Sequence, residues 1–404
     1  MAANSLEDIF GKLRRHPDVE APNLQAWDAT DKLLLEAAAG RVGPDSRLAV
    51  IGDRYGALTL GALAFLGVQR VRVHEDLITG ERALRNNATV LGLAGFGQLP
   101  LGERLLSGAG TVLLQLPRTL AELEEIAEAV ALYAAPDVVL IAGGRVKHMS
   151  LGMNAVLERH FRTVQPQLAR QKSRLIIASS PKKAAPDAAS DTATEETGAQ
   201  SSGPAAGHAP MAHPAVGHPA VEHLAELDLD VAAHGAVFAG TKLDIGTRFL
   251  LTFLPEMPAA RHAVDLGCGT GVLAAMYARQ NPGSRVTATD RSAAAVASAE
   301  ATARANGLAD RISALQDDAM STLPAASVDL VLLNPPFHLG ASVHAGAGLK
   351  LFEAAARVLA PGGQLWTVFN RHLQYLPALE RRVGPTTVRG NNPKFTVAVS
   401  TRRA

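Results

Sequence analysis

Two stretches of this 404-residue chain share one grammar. Residues 48–76 read LAVIGDRYGALTLGALAFLGVQRVRVHED, and residues 262–290 read HAVDLGCGTGVLAAMYARQNPGSRVTATD. Each is an aliphatic run, a glycine-containing turn, an Ala/Leu-rich segment of helical length and a Val-bearing run that ends in an acid. Another aliphatic run follows in each half, GTVLLQLPRT at 110–119 and VDLVLLNPPF at 328–337. Short continuous apolar runs alternating with amphipathic segments predict parallel strands covered on both faces by helices. The repetition predicts a duplicated α/β domain.

Between the halves lies a tract of another kind. Residues 184–222, AAPDAASDTATEETGAQSSGPAAGHAPMAHPAVGHPAVE, are rich in Ala, Pro, Ser, Gly and His and hold no large aromatic. That composition cannot bury enough apolar surface to offset chain entropy, which predicts a disordered linker. The expected domains are residues 1–183 and 223–404, with the linker at 184–222. His208, His213, His218 and His223 recur every five residues, a spacing that suits neither one helix face nor strand alternation. A drifted short repeat accounts for them better than a metal site, and no metal is expected.

At 47% apolar content the halves can build ordinary cores. The start, MAANSLEDIFGKLRR, is polar and unlike a secretory leader. No apolar stretch reaches the roughly 18 residues that a bilayer demands. Cys268 is the single cysteine, so an internal disulfide is excluded. The expectation is a cytoplasmic protein with no membrane partner. The formal net charge of +1 names no partner, but its distribution says more. Arg159 to Lys183 holds seven Lys/Arg and no acid, and Arg371 to Arg403 holds seven against the single Glu380. Such segments form either an electrostatic footprint for nucleic acid or solvated faces.

The turn VDLGCGTGVLA (264–274) carries the chemistry of the second half. Gly267, Gly269 and Gly271 permit a tight turn and close approach of backbone to a ligand. Their G-x-G-x-G spacing is not the dinucleotide fingerprint. Asp265 before them suits an ammonium and repels a pyrophosphate. Asp290, at the next strand end, suits two ribose hydroxyls. A nucleoside with a cationic amino-acid end satisfies both, which is S-adenosylmethionine. Asp317 or Asp318 is placed to reach the adenine amino group, and Asp318 is preferred. Cys268 has no adjacent base and reads as a filler.

Asn334-Pro335-Pro336-Phe337 ends the following strand, where open α/β sheets bind ligands. The Asn334 amide oxygen and the Pro335 carbonyl are two acceptors held side by side, since proline keeps the residue before it extended. Together they can hold a planar NH2 by both hydrogens while Phe337 stacks on its ring. His338 is a candidate proton acceptor, a candidate contact to nucleic acid, or a residue of local role.

Both motifs look like those of class I S-adenosylmethionine-dependent methyltransferases that act on exocyclic or amide nitrogens. HGAVFAGTKLDIGTRFLL, NPPFH, FNRHLQYLPALERRVG and NNPKFTVAVS, with GDRYGALT, LPRTLAELE and LIAGGRVKHMSLGMNAVLERHF in the first half, resemble the two-domain ribosomal RNA guanine-N2 methyltransferases, the large-subunit group most of all. The resemblance implies tandem Rossmann-like domains of which only the C-terminal one is catalytic. Gly52-Asp53-Arg54-Tyr55-Gly56 lacks the glycine spacing, and Leu116-Pro117-Arg118-Thr119 is expected in the place of Asn-Pro-Pro-Phe, so the first copy reads as degenerate. It is expected to recognise RNA and shield its partner. Phe238, Lys242 and Asp244 are implied to close over cofactor and base, and Arg371, with His372, to contact RNA or cap a strand.

The implied reaction is methyl transfer to N2 of a guanine in large-subunit ribosomal RNA or a subunit precursor, by a chain for which a monomer is the default. Three alternatives stay open. They are the small-subunit RNA as substrate, a protein glutamine-N5 methyltransferase, and a non-catalytic RNA-binding assembly factor.

Overall fold

The computed structural model describes residues 5–182, 219–335 and 341–403, without the side chains of 341–347. The body of the expected linker, with His208, His213 and His218, lies outside these residues, as do Pro336, Phe337 and His338.

The first half is a seven-stranded sheet of β1 (Leu48–Ile51), β2 (Val71–His74), β3 (Phe96–Gln98), β4 (Thr111–Gln115), β5 (Val139–Arg145), β6 (Phe161–Pro166) and β7 (Ser173–Pro181). A hairpin, β8 (Ala220–Leu224) and β9 (Leu229–Ala233), opens the second half. Its own seven-stranded sheet follows, of β10 (His262–Leu266), β11 (Arg285–Asp290), β12 (Ile312–Gln316), β13 (Val328–Leu333), β14 (Leu359–Asn370), β15 (Thr386–Asn391) and β16 (Phe395–Thr401). The orders are β3-β2-β1-β4-β5-β7-β6 and β12-β11-β10-β13-β14-β16-β15, one topology used twice. In each sheet the first five strands run parallel, and the two final strands pair antiparallel. The duplicated α/β fold read from the sequence is the fold observed.

The central strands are aliphatic runs because helices cover both faces. β1 is buried throughout, and β13 is buried at every residue but Asp329. Four apolar clusters result, two in each half. Strand order reverses between β1 and β4, and again between β10 and β13, which makes a crevice at the carboxyl ends of those strands.

Two sequence expectations need correction. Residues 220–222, placed in the linker, belong to β8. That strand is almost wholly exposed, so no apolar pattern marked it; its backbone ladder and the bond between His223 and Asp230 (2.9 Å) hold it. The degenerate counterpart of Asn-Pro-Pro-Phe also starts one residue earlier. Ile51 pairs with Leu114 before Gly52, as Leu266 pairs with Leu333 before Gly267. Gln115, not Leu116, therefore occupies the place of Asn334.

The halves meet along a seam with approximate two-fold character. The amide of Ile78 donates to the Arg291 carbonyl, and that of Ala293 to the Asp76 carbonyl, each at 2.9 Å. Leu77 and Ser292, the N-caps of the helices Ile78–Leu91 and Ala293–Ala305, pair as a β-bridge between them. A second contact seats Gly235 against the helix Leu120–Tyr133. Its amide donates to Glu125 Oε1 (2.9 Å) and its carbonyl accepts from Thr119 Oγ1 (2.8 Å).

Candidate active site

The glycine turn leaves β10 at the crevice. Gly267, Gly269 and Gly271 have φ of +74°, +53° and +78°, a region that only glycine enters freely. A Cβ at Gly267 or Gly269 would meet nothing within 4 Å, whereas one at Gly271 would lie 2.9 Å from the Cβ of Ala299. The first two thus leave open space over the turn, and the third lets the helix Val272–Gln280 pack on Ala293–Ala305. The degenerate copy keeps the outer pair as Gly52 (φ +79°) and Gly56 (φ +92°) but has Arg54 where the other has Gly269.

Two carboxylates flank the turn. Asp290 bridges it, accepting from Gly269 N–H through Oδ2 (3.1 Å) and from Ser292 N–H through Oδ1 (3.0 Å). Burial raises its pKa above the usual carboxylate range. Asp265 is 1% exposed; Oδ2 accepts from Ala274 N–H (3.0 Å), and Oδ1 is buried without a partner. Burial pushes the Asp265 carboxyl up to about 7, and nearby Asp290 adds to the rise. A buried acid with an orphaned oxygen and a half-buried acid, beside an open glycine turn, suit a ligand that brings a cation and hydroxyl donors. S-adenosylmethionine has both, so the residues present fit it.

The acidic pair after β12 divides its roles. Asp317 is spent internally, accepting from the amides of Asp318 (2.7 Å) and Thr322 (2.8 Å) and ion-pairing with Arg82 of the first half (3.5 Å). Asp318 pairs with Lys350 (2.7 Å), and among the described residues its carboxylate makes no bond to the loop's own amides or hydroxyls.

Asn334 follows β13 and lies beside Gly267, since Leu333 is in register with Leu266. Its Nδ2 donates to Asp244 Oδ2 and Thr247 Oγ1, both at 2.9 Å, and its Oδ1 is buried and unpartnered. Pro335 is buried next to it. Asp244 is the N-cap of the helix Ile245–Leu251, and the same Oδ2 accepts from the amides of Gly246 (2.8 Å) and Thr247 (3.0 Å). The resemblance implied that Asp244 belongs to a segment closing over cofactor and base; in the structure its carboxylate bonds its own helix and Asn334. Thr247 was missed. Its signal was available in the spacing Asp-x-x-Thr at a helix start, which reads as a cap and conceals the second partner.

Phe238 and Lys242 are exposed on a turn that includes Ala239 (φ +64°) and Gly240 (φ +57°). Arg371 is exposed just after β14, and its amide donates to the Lys394 carbonyl (3.0 Å). Because β10, β13 and β14 run parallel, this basic pair is on the same sheet edge as Asn334. Part of each basic segment is consumed by acids, Arg159 by Glu124, Arg382 by Glu353 and Arg389 by Glu256. Among the described residues no group of His, Cys, Asp and Glu could hold a metal, and no helix is long and apolar enough to cross a membrane.

Residues 1–183 match the RLMG N-terminal domain family, and residues 228–399 match the Methyltransferase small domain family. The chain is 34% identical to the ribosomal RNA large subunit methyltransferase G of Streptomyces avermitilis over 95% of both chains. It is also 34% identical to the protein of that name from Pseudomonas paraeruginosa, over 95% of this chain and 96% of the relative. The chain belongs to the ribosomal RNA large subunit methyltransferase G family. A solved structure of the T. thermophilus 16S rRNA N2 G1207 methyltransferase RsmC, in complex with AdoMet and guanosine, covers 99% of this chain and all of its own with a TM-score of 0.68. At 20% identity that likeness speaks for the fold, and it extends over both halves. Membership makes the chain an S-adenosylmethionine-dependent ribosomal RNA methyltransferase.

Proposed function

We propose that this chain methylates the exocyclic N2 of a guanine in large-subunit ribosomal RNA, and that Asn334 holds the amine. The observation that carries the reading is the Asn334 Oδ1, a buried acceptor without a partner, beside the glycine turn at the reversal of strand order. An unpaired buried acceptor costs about 1–3 kcal/mol, a cost that a ligand's N–H removes.

The residues that hold the cofactor in this reading are Asp265, Gly267, Gly269, Gly271, Asp290 and Asp318. When bound, S-adenosylmethionine would supply a methyl group on a sulfonium; as the neutral amine takes the methyl, the carbon–sulfur bond breaks, the sulfur leaves as a neutral thioether and the amine gives up one proton. The target guanine must leave its stack to reach the crevice. Asn334 Oδ1 and the Pro335 carbonyl accept the two amine hydrogens, and the rest of the motif, Pro336 and Phe337, is assigned to the base, with Phe337 to stack on it. Orientation of the amine supplies the rate, because fixing reactants in line replaces an entropic cost. Phe238, Lys242, His338 and Arg371 are assigned to the RNA around the base. The first domain, with Arg54 in its glycine turn, is assigned to RNA recognition.

Asn334→Ala tests the assignment. Methyl transfer to ribosomal RNA is expected to fall below detection while calorimetry shows cofactor binding within a few-fold of the parent. Full activity in that variant sinks the assignment. Mapping N2-methylguanine in a strain lacking the protein identifies the RNA, and loss from the small subunit alone would reverse the choice of subunit.

A further inference from the structure

We infer that Asp244 and Thr247 are positioning residues that lock the Asn334 amide with its oxygen toward the amine to be methylated, an inference that rests on the role proposed for Asn334. A side-chain amide presents an acceptor on one side and a donor on the other, and a half-turn exchanges them. A site that must accept from an NH2 fails when the amide is reversed. Asp244 removes that ambiguity. Asp244 Oδ2 already accepts from the amides of Gly246 and Thr247, so it acts as an acceptor and the face of Asn334 that lies 2.9 Å from it is the NH2. Thr247 Oγ1 takes the second amide hydrogen at 2.9 Å. Both donors are then spent inside the protein, and Oδ1 alone is left for a ligand.

The local sequence builds this clamp. Asp244 caps the helix, which orients its carboxylate, and a residue three positions into a helix sits over its cap. Gly246 permits the close approach. A Cβ there would lie 3.0 Å from Asp244 Oδ2 and 3.1 Å from Asn334 Oδ1. The degenerate copy retains the device in altered form. Asp28 caps the helix Ala29–Ala38, Asp31 stands three residues on as Thr247 does, and Gln115 donates its Nε2 to Asp31 Oδ1 at 2.5 Å. Where Asn334 has a hydroxyl and a carboxylate, Gln115 has the buried Asp31, whose carboxyl burial raises to about 7.

Four variants test the clamp, with kcat and KM measured on the RNA substrate and cofactor affinity measured by calorimetry. Thr247→Val keeps the shape and removes the acceptor; it is expected to lower kcat about tenfold with KM and cofactor affinity unchanged, and Thr247→Ser to restore kcat. Asp244→Asn replaces the carboxylate by a group that tolerates either amide orientation, and a larger loss of kcat is expected. Asp244 also caps a helix, so if this variant does not fold, the Val/Ser pair at 247 decides. Asn334→Ala separates the two failures. If it is inactive while Thr247→Val and folded Asp244→Asn keep the parental kcat, the clamp is wrong and the role of Asn334 stands. If it is fully active, the role of Asn334 falls and the clamp falls with it. A Thr247→Ser variant as impaired as Thr247→Val, or a loss of cofactor affinity in step with kcat, assigns Thr247 to packing and overturns the inference.

Discussion

Asp265 shows how burial sets the chemistry of one residue. Its carboxyl titrates near 7 in the folded chain without ligand, against 3.8 for the free side chain. A raised acid contributes stability that is fully present below the unfolded value and is lost as pH rises through the folded one. Between about pH 4 and 7 the cofactor-free protein therefore loses stability through this group, and Asp265→Asn removes that part of the slope. Thermal melts at pH 5 and pH 8 should show the variant gaining on the parent at the higher pH. A cationic ligand favours the ionised form, so cofactor affinity is expected to rise with pH up to about 7 and to release a proton below it. Calorimetry in two buffers of different ionisation enthalpy reads that proton. A pH-independent affinity would separate Asp265 from the ligand. The sequence showed an acid before the glycines; it did not show that one carboxylate oxygen serves the following helix, because that bond depends on how Ala274 is placed in space.

At the level of the element, the helix Ala293–Ala305 joins the proposed cofactor site to the other domain. Three of its first N–H groups have partners, and two of those partners come from Asp76. Ala293 N–H donates to the Asp76 carbonyl, Ala294 N–H to its Oδ1 (2.8 Å), and Ala295 N–H to Ser292 Oγ (3.1 Å). Asp76→Ala removes a helix cap, for a cost of about 0.5–2 kcal/mol. The same loop carries Asp290, so a several-fold weaker cofactor affinity should accompany the lower melting temperature. Unchanged affinity would confine Asp76 to stability. On the facing helix, Gly271→Val brings a branched side chain to φ +78° with its Cβ at 2.9 Å from Ala299, and should cost about 1–3 kcal/mol or more in a denaturant titration. The glycine turn and its helix were legible because strand, glycines and apolar periodicity are local signals. The cap from Asp76 was not, since it joins residues 218 apart.

In the whole molecule, the degenerate copy is a structural partner of the proposed cofactor site. Its seam touches the loops of Asp290, through Arg291 and Ser292, and of Asp317, through Arg82. Gly235 closes the second contact so tightly that a Cβ would fall 2.3 Å from the backbone carbon of Ala121. Gly235→Leu should therefore part the domains without entering either core. Differential scanning calorimetry is expected to resolve one cooperative transition into two, with cofactor affinity reduced; a single unshifted transition would show that the seam carries little of the stability.

The amino-acid sequence by itself determined the class of fold, its duplication, the altered glycine spacing of the first copy and the glycine and Asn-Pro-Pro-Phe motifs. Each of these is written in residues close together in the chain, as periodicity, turn chemistry or spacing. Tertiary structure decided what the motifs lack alone. It set Asn334 beside Gly267 through strand register, joined Asp244 to the Asn334 amide, recruited Thr247, and moved the counterpart of Asn334 from Leu116 to Gln115. Register and hydrogen-bond direction are properties of paired segments, and a one-residue shift in either leaves the local pattern almost unchanged.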